Sequence, residues 1–300
     1  MDNESLWNLT KEVLKLIRSH YEPALEPIIL SSGLDARIWG MLLAAQTFEP
    51  ENTSPAHLMV RGPYTSAEQY LIRLHAAAAK GYLEEVSRGE FRLTEKGKEG
   101  VNQFIWKARD RMEKADPLNK ETSRELALLF ERLVKGCLAT PPPPNTWSID
   151  LCNQLMPALE PPLPFIEQAI SCLYAYRDDA HLAAWRNSNL SATAFEVLTY
   201  LWRKEADSLE KLLDLLASRG HSDEVYLDAL AELRDRKFIA GGRSKLRVTP
   251  EGRGFRDKVE MDTDKLFFTP WSYLSSNEKD RMEGLLVRLW DGLKVRVVSD

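Results

Sequence analysis

Residues 34–42, Leu-Asp-Ala-Arg-Ile-Trp-Gly-Met-Leu, and residues 190–198, Leu-Ser-Ala-Thr-Ala-Phe-Glu-Val-Leu, place apolar side chains at the same steps, 156 positions apart. That offset persists. It sets Ser66, Glu68, Tyr70, Leu71 and Leu74 against Ser222, Glu224, Tyr226, Leu227 and Leu230, then Tyr82-Leu83 against Phe238-Ile239. After a one-residue slip, Phe91-Arg92-Leu93-Thr94 and Gly97 face Leu246-Arg247-Val248-Thr249 and Gly252. The slip is recovered where Leu118, Leu129 and Leu133 meet Leu274, Leu285 and Leu289. Chance explains one match between two helices, whereas an ordered series over about a hundred residues reads as one domain written twice. The 300 residues suit two domains of about 150. Four consecutive prolines in Thr140-Pro141-Pro142-Pro143-Pro144-Asn145 forbid a helix and favour extended chain, which puts the join there. The expected units are residues 1–140 and 163–300, with a proline-rich linker over 141–162.

Within each unit the periodicity predicts an amphipathic helix (36–45; 192–202), a variable connection, and a second helix with Ser66 or Ser222 as N-cap and a glutamate in its first turn. Tyr70, Leu71, Leu74 and Ala77, like Tyr226, Leu227, Leu230 and Leu233, form one buried stripe. Short extended segments around a glycine-containing polar turn follow (82–86 and 91–93; 238–239 and 245–248), which predicts a β-hairpin. A long helix then starts behind Thr94 or Thr249, with Pro250 at a first position that needs no N–H. Gly97 and Gly252 in its first turn let it pass close to the hairpin.

This order of helices, hairpin and long helix resembles the winged helix-turn-helix domain in its MarR-like and PadR-like versions. Residues 118–129 and 274–286 look like the C-terminal dimerisation segment of MarR-like regulators. The second half, over roughly residues 160–292, is similar to the SalK-like family of bacterial winged-helix proteins. Tyr174-Ala-Tyr176-Arg177-Asp-Asp-Ala-His181-Leu182, Arg219-Gly-His-Ser222-Asp-Glu, Thr249-Pro-Glu-Gly252, Glu260-Met-Asp-Thr263-Asp264 and Pro270-Trp271 carry that likeness. The first half departs from the pattern: Gln46-Thr-Phe48-Glu-Pro50 stands where the family has arginine and proline. The resemblance implies a mainly α-helical fold with small β-hairpin wings. It also implies two winged-helix units packed as an intramolecular pseudo-dimer, a monomer with pseudo-two-fold symmetry, and double-stranded DNA as the partner.

A net charge of −5 excludes a general nucleic-acid condenser but permits a local basic patch. Hydrophobic residues at 44% and charged residues at 28% exclude global disorder. Phosphate contacts are expected from Arg88, Arg92, Lys96 and Lys98 on the first wing and from Arg243, Lys245, Arg247 and Arg253 on the second. Such cations also serve as ordinary solubilising residues. Base contacts are expected from Ser66, Gln69 and Arg73, off the buried stripe. The matching face of the second unit carries Asp223, Asp228, Glu232 and Asp235, which repel a polyanion unless Arg234 or Arg236 neutralises them. Duplex binding is therefore expected to rest on residues 60–100, with the second wing assisting.

Arg177 and His181 stand at i, i+4, as do Glu260 and Asp264. These four are the expected ligand-binding residues, lining a pocket between the units for an anion or polar metabolite. The alternative is an ion-pair network joining helices. Trp185, Trp202 and Trp271 suit a pocket wall or the core. The five histidines lack metal-ligand spacing, and nucleophile-elbow, P-loop and dinucleotide motifs are missing, so no metal, cofactor or catalytic residue is expected, and no enzyme. Cys137, Cys152 and Cys172 are expected as reduced thiols. With no apolar run of about 18 residues and no leader-like N-terminus, the expected location is cytoplasmic. The reading is a DNA-binding transcriptional regulator of MarR-like type, responsive to a small-molecule effector. Its competitor is a winged-helix scaffold without DNA binding that holds a metabolite or a protein.

Overall fold

The computed structural model describes residues 2–297. The first half runs α1 (Asn3–Ser32), α2 (Ala36–Phe48), α3 (Pro55–Arg61), α4 (Ala67–Ala79), β1 (Leu83–Ser87), β2 (Glu90–Leu93), α5 (Glu95–Ala115) and α6 (Lys120–Leu138). After α7 (Trp147–Asn153), the second half runs α8 (Pro162–Arg186), α9 (Ala192–Trp202), α10 (Leu209–Leu216), α11 (Asp223–Asp235), β3 (Ile239–Ala240), β4 (Arg247–Val248), α12 (Pro250–Phe268) and α13 (Ser276–Val297). Both halves thus read as four helices, a hairpin and two helices. The protein is mainly helical with two small antiparallel sheets.

Local chemistry explains the boundaries. Side chains of Asp35, Ser66, Thr94, Ser191 and Thr249 accept the N–H three residues on, which satisfies a donor left open at a helix start. Ser222 makes no such bond. Each hairpin is tied to its long helix by a backbone bond, Thr94 N–H to the Tyr82 carbonyl (3.1 Å) and Thr249 N–H to the Phe238 carbonyl (3.0 Å). A side chain at Gly97 or Gly252 would collide with those same two carbonyl oxygens. The connection expected to be variable holds α3 and α10, each behind a capping serine, Ser54 or Ser208. These helices are too short for periodicity to reveal.

Three apolar clusters form the interior. One lies under each hairpin, around Trp39, Leu42, Leu74 and Phe91 in the first half and Phe195, Leu198, Leu230 and Leu233 in the second. The third and largest is shared, drawing Trp7, Phe130, Ile166, Ile170, Trp271 and Leu285 from both halves. Its packing is reciprocal: α1 lies on its own α5 and on α13 across the junction, while α8 lies on its own α12 and on α6. Arg281 and Glu125, which the 156-residue offset equates, form a two-bond pair across the α6–α13 contact (2.7 and 2.6 Å). Separating the halves would expose this shared core, at about 1.5–3 kcal/mol for each large side chain.

The proline-rich join contains a helix the sequence did not announce. Thr146 offers α7 no side-chain cap. Asp179 of α8, 5% exposed, takes that role by accepting the Ser148 and Ile149 N–H groups at 3.0 and 3.1 Å. Burial raises its carboxyl to about 6, against the lowering effect of those bonds. Among the described residues, no single helix is long and apolar enough to cross a membrane.

Candidate nucleic-acid interface and ligand cleft

The N-terminus of α4 meets the segment leading into α11. Ser66 N–H donates to the Arg219 carbonyl (2.9 Å), the Ser66 hydroxyl to the Gly220 carbonyl (3.0 Å), and Arg73 Nη2 to the Ser218 carbonyl (2.7 Å). In return, His221 Nε2 donates to the Tyr64 carbonyl (2.9 Å). Gly220, at φ +69°, has no room for a side chain because Gln69 presses against it. Ser66, Gln69 and Arg73, expected to face base edges, therefore face the second half. No local pattern announces partners some 150 positions away.

The wings differ from one another as well. On the first, Arg92 pairs with Glu84, Lys98 with Glu49 and Glu95, and Lys96 donates to the Lys80 carbonyl (2.6 Å), leaving Arg88 exposed and without an ion pair among the described residues. On the second, the side chains of Arg243, Lys245, Arg247 and Arg253 are all exposed, and none forms an ion pair among the described residues. The acidic face of α11 is partly spent inside the fold: Glu232 accepts both the N–H and the hydroxyl of Ser191 (3.0 and 2.5 Å) and so steadies the start of α9. Asp223, Asp228 and Asp235 remain exposed.

A cleft of about 340 Å³ opens between α8, α9 and α12, with Tyr64 of the first half at its edge. Arg177 reaches across to Asp264 (2.7 Å) and Glu260 (3.5 Å), and Glu260 also lies 2.6 Å from Nη1 of Arg256. Arg256 is 1% exposed, held between the rings of Phe195 and Trp202 (5.0 and 4.8 Å), with its Nε donating to Thr199. His181 contacts Thr263 Oγ1 through Nδ1 (3.2 Å). Since the Thr263 hydroxyl donates its own proton to the Val259 carbonyl, Nδ1 carries the hydrogen and Nε2 is left as an acceptor. Burial pushes this imidazole down to about 4, helped by Arg256, Arg177 and Arg203 and opposed by Glu260. A histidine depressed in this way favours the native state fully above pH 6.5 and loses that contribution as the pH falls through about 4. Relative to His181→Gln, wild-type stability in urea titrations should drop by about 2 kcal/mol between neutral pH and about pH 4. A pH-independent difference would refute the half-buried neutral ring.

Residues 108–294, more than half of the chain, match the profile of a helix-turn-helix family. The chain belongs to that family. No curated protein and no solved structure matches it. In this helix-turn-helix protein the matched span begins inside α5 and ends in α13, so it takes in the second hairpin and, Tyr64 apart, the residues that line the cleft.

The four residues expected to hold a ligand do come together, although Asp264 supports Arg177 from outside the cleft lining. Of the tryptophans, Trp271 is core, Trp185 stacks on Phe195 (4.6 Å), and only Trp202 borders the cleft's buried arginine. Sequence reasoning missed Arg203, Arg219 and Arg256. Arg203 closes α9, Arg219 precedes α11 and Arg256 lies in α12, and the signals on offer are the motif that begins at Arg219 and the repeat itself, whose first copy has no arginine at the matching positions.

Proposed function

We propose that this helix-turn-helix protein is a MarR-like transcriptional regulator. It contacts duplex DNA with its second wing, and a small molecule in the cleft adjusts that contact. Its two halves act as fused protomers, so the second protomer is always at hand. One observation carries the DNA contact: the four exposed cations of the second wing have no carboxylate partner among the described residues, while most of their first-wing counterparts are engaged. The weight of duplex binding thereby moves from residues 60–100 to residues 243–253.

Fluorescence anisotropy with the duplex upstream of the protein's own coding region tests this. Log affinity should fall linearly with log salt. Replacing Arg243, Lys245, Arg247 and Arg253 by alanine should reduce that slope by about 0.9 for each phosphate the wing no longer neutralises. Arg88→Ala should release no more than one phosphate. An unchanged slope in the second-wing variant would refute the assignment.

A second reading, the scaffold without DNA binding, is favoured by the engagement of Ser66, Gln69 and Arg73 with residues 218–220. Absence of binding even at about 50 mM salt would select it, since electrostatic attraction to any duplex is strongest there.

A further inference from the structure

We propose that Cys152 and Cys172 form a peroxide-reactive thiol pair, which oxidation closes into a disulfide that fastens the linker helix α7 to α8. This goes beyond the DNA and effector readings above and does not depend on either.

The pair is built by helix packing. Cys152 lies in α7 and Cys172 in α8, two helices that pack along one another. Gln168 and Cys172 stand one turn apart on α8 and share a face. Gln168 Nε2 donates to the Cys152 carbonyl (2.8 Å) and to Cys152 Sγ (3.3 Å), which holds Cys152 over that face. There the two thiols are in hydrogen-bonding contact, with Cys172 as the donor. Cys172 is fully buried, whereas Cys152 is half-buried and lines two cavities, of about 200 and 250 Å³. In the smaller one α7 covers α2, so that Trp147 and Cys152 face Gly40, Ala44 and Thr47. By the repeat offset those three stand where the cleft of the second half has Glu196, Tyr200 and Arg203. The linker helix thus covers in the first half what stays open in the second, and Cys152 is the reactive group it brings there.

The surroundings give the two sulfurs different roles. Their mutual contact lowers the Cys152 thiol and raises that of Cys172. Arg61, on the wall of the smaller cavity, also favours the Cys152 thiolate, while burial, Glu167 and Asp178 oppose it. Cys137 is fully buried, and burial pushes its thiol up with nothing to offset it. The Cys152 thiolate attacks one oxygen of hydrogen peroxide and the O–O bond breaks. The departing hydroxide takes up the proton that left Cys152 and becomes water, and Cys152 is left as a sulfenic acid. The Cys172 sulfur then attacks the Cys152 sulfur, the S–O bond breaks, and the hydroxide released takes the Cys172 proton to form a second water. Two thiols are oxidised to one disulfide and one peroxide is reduced.

Hydrogen peroxide added to the full chain tests this, with free thiols counted by dithionitrobenzoate after denaturation. The count should fall from three to one without cross-links between chains, and dithiothreitol should restore it. Cleavage after Glu160 and Glu167 separates Cys172 from the other two cysteines, so the new bond should join two peptides. In Cys137→Ser every thiol should be lost. Cys172→Ser should instead accumulate a sulfenic acid at Cys152, captured by dimedone, and Cys152→Ser should lose thiols on the order of tenfold more slowly than wild type. The wild-type count and peptide map require no substitution, so a variant that fails to fold leaves the test standing. A bond confined to the peptide that holds Cys137 and Cys152, cross-links between chains in place of the internal bond, or a count that stays at three in peroxide sufficient to oxidise free cysteine would overturn the proposal.

Discussion

Arg219→Ala should destabilise the protein by about 3 kcal/mol in urea unfolding, because it strands a buried carboxylate. Glu196 is 6% exposed, and the Arg219 guanidinium reaches its Oε1 at 2.5 and 2.9 Å, while Oε2 has no partner among the described residues. Burial already raises the Glu196 carboxyl, and Arg219 is what opposes that rise. The Arg219 side chain, 35% exposed, admits some water, which places the loss at the lower end for a broken buried pair. The arginine also bonds Thr65 Oγ1 (3.4 Å), and its backbone carbonyl receives the Ser66 N–H. Local opening should therefore follow, seen as faster amide exchange at Ser66. Adding Glu196→Gln to Arg219→Ala should recover more than half of the lost stability, since it removes the stranded charge. A single variant within about 1 kcal/mol of wild type would mean that water solvates Glu196 adequately.

Gly252→Ala should cost about 3 kcal/mol as well, and Gly97→Ala the same, whereas Gly254→Ala, two residues along the same helix, should stabilise by about 0.5–1 kcal/mol. The contrast is geometric. A Cβ at Gly252 would enter the Phe238 carbonyl, and one at Gly97 the Tyr82 carbonyl, and in both cases the nearest obstacle is backbone that cannot swing away. Nothing lies within 4 Å of a Cβ at Gly254, so alanine there simply restricts the unfolded chain. Thermal unfolding of the three variants side by side would decide it. Equal tolerance at all three positions would show that the hairpin is not held against its helix.

Much of the architecture was legible because it depends on short-range chemistry that the chain states twice. The Thr94 and Thr249 caps, the glycines behind them and the flanking hairpins follow from residues within one turn of each other. Helices α3, α7 and α10 were not legible. Two are seven residues long and one is eight, too brief for a periodic stripe, and α7 borrows its cap from Asp179, some thirty positions away. The Arg177–His181 and Glu260–Asp264 pairs were legible as helix faces. That Arg256 would be buried between aromatic rings beneath them was not, since nothing in Thr249-Pro-Glu-Gly252 or the residues after it distinguishes a buried arginine from a solvated one.

The repeated order of helices and hairpins is already written in the linear chain, because caps, glycines and apolar periodicity act over distances of a few residues. What each copy is free to do is settled only in three dimensions. Contacts across some 150 positions turn Ser66, Gln69 and Arg73 inward, carboxylates from neighbouring elements quiet one wing and spare the other, and the linker helix covers one cleft while its counterpart stays open. Such outcomes depend on which charged and apolar groups meet in space, and a linear pattern does not carry that information until the chain has closed on itself.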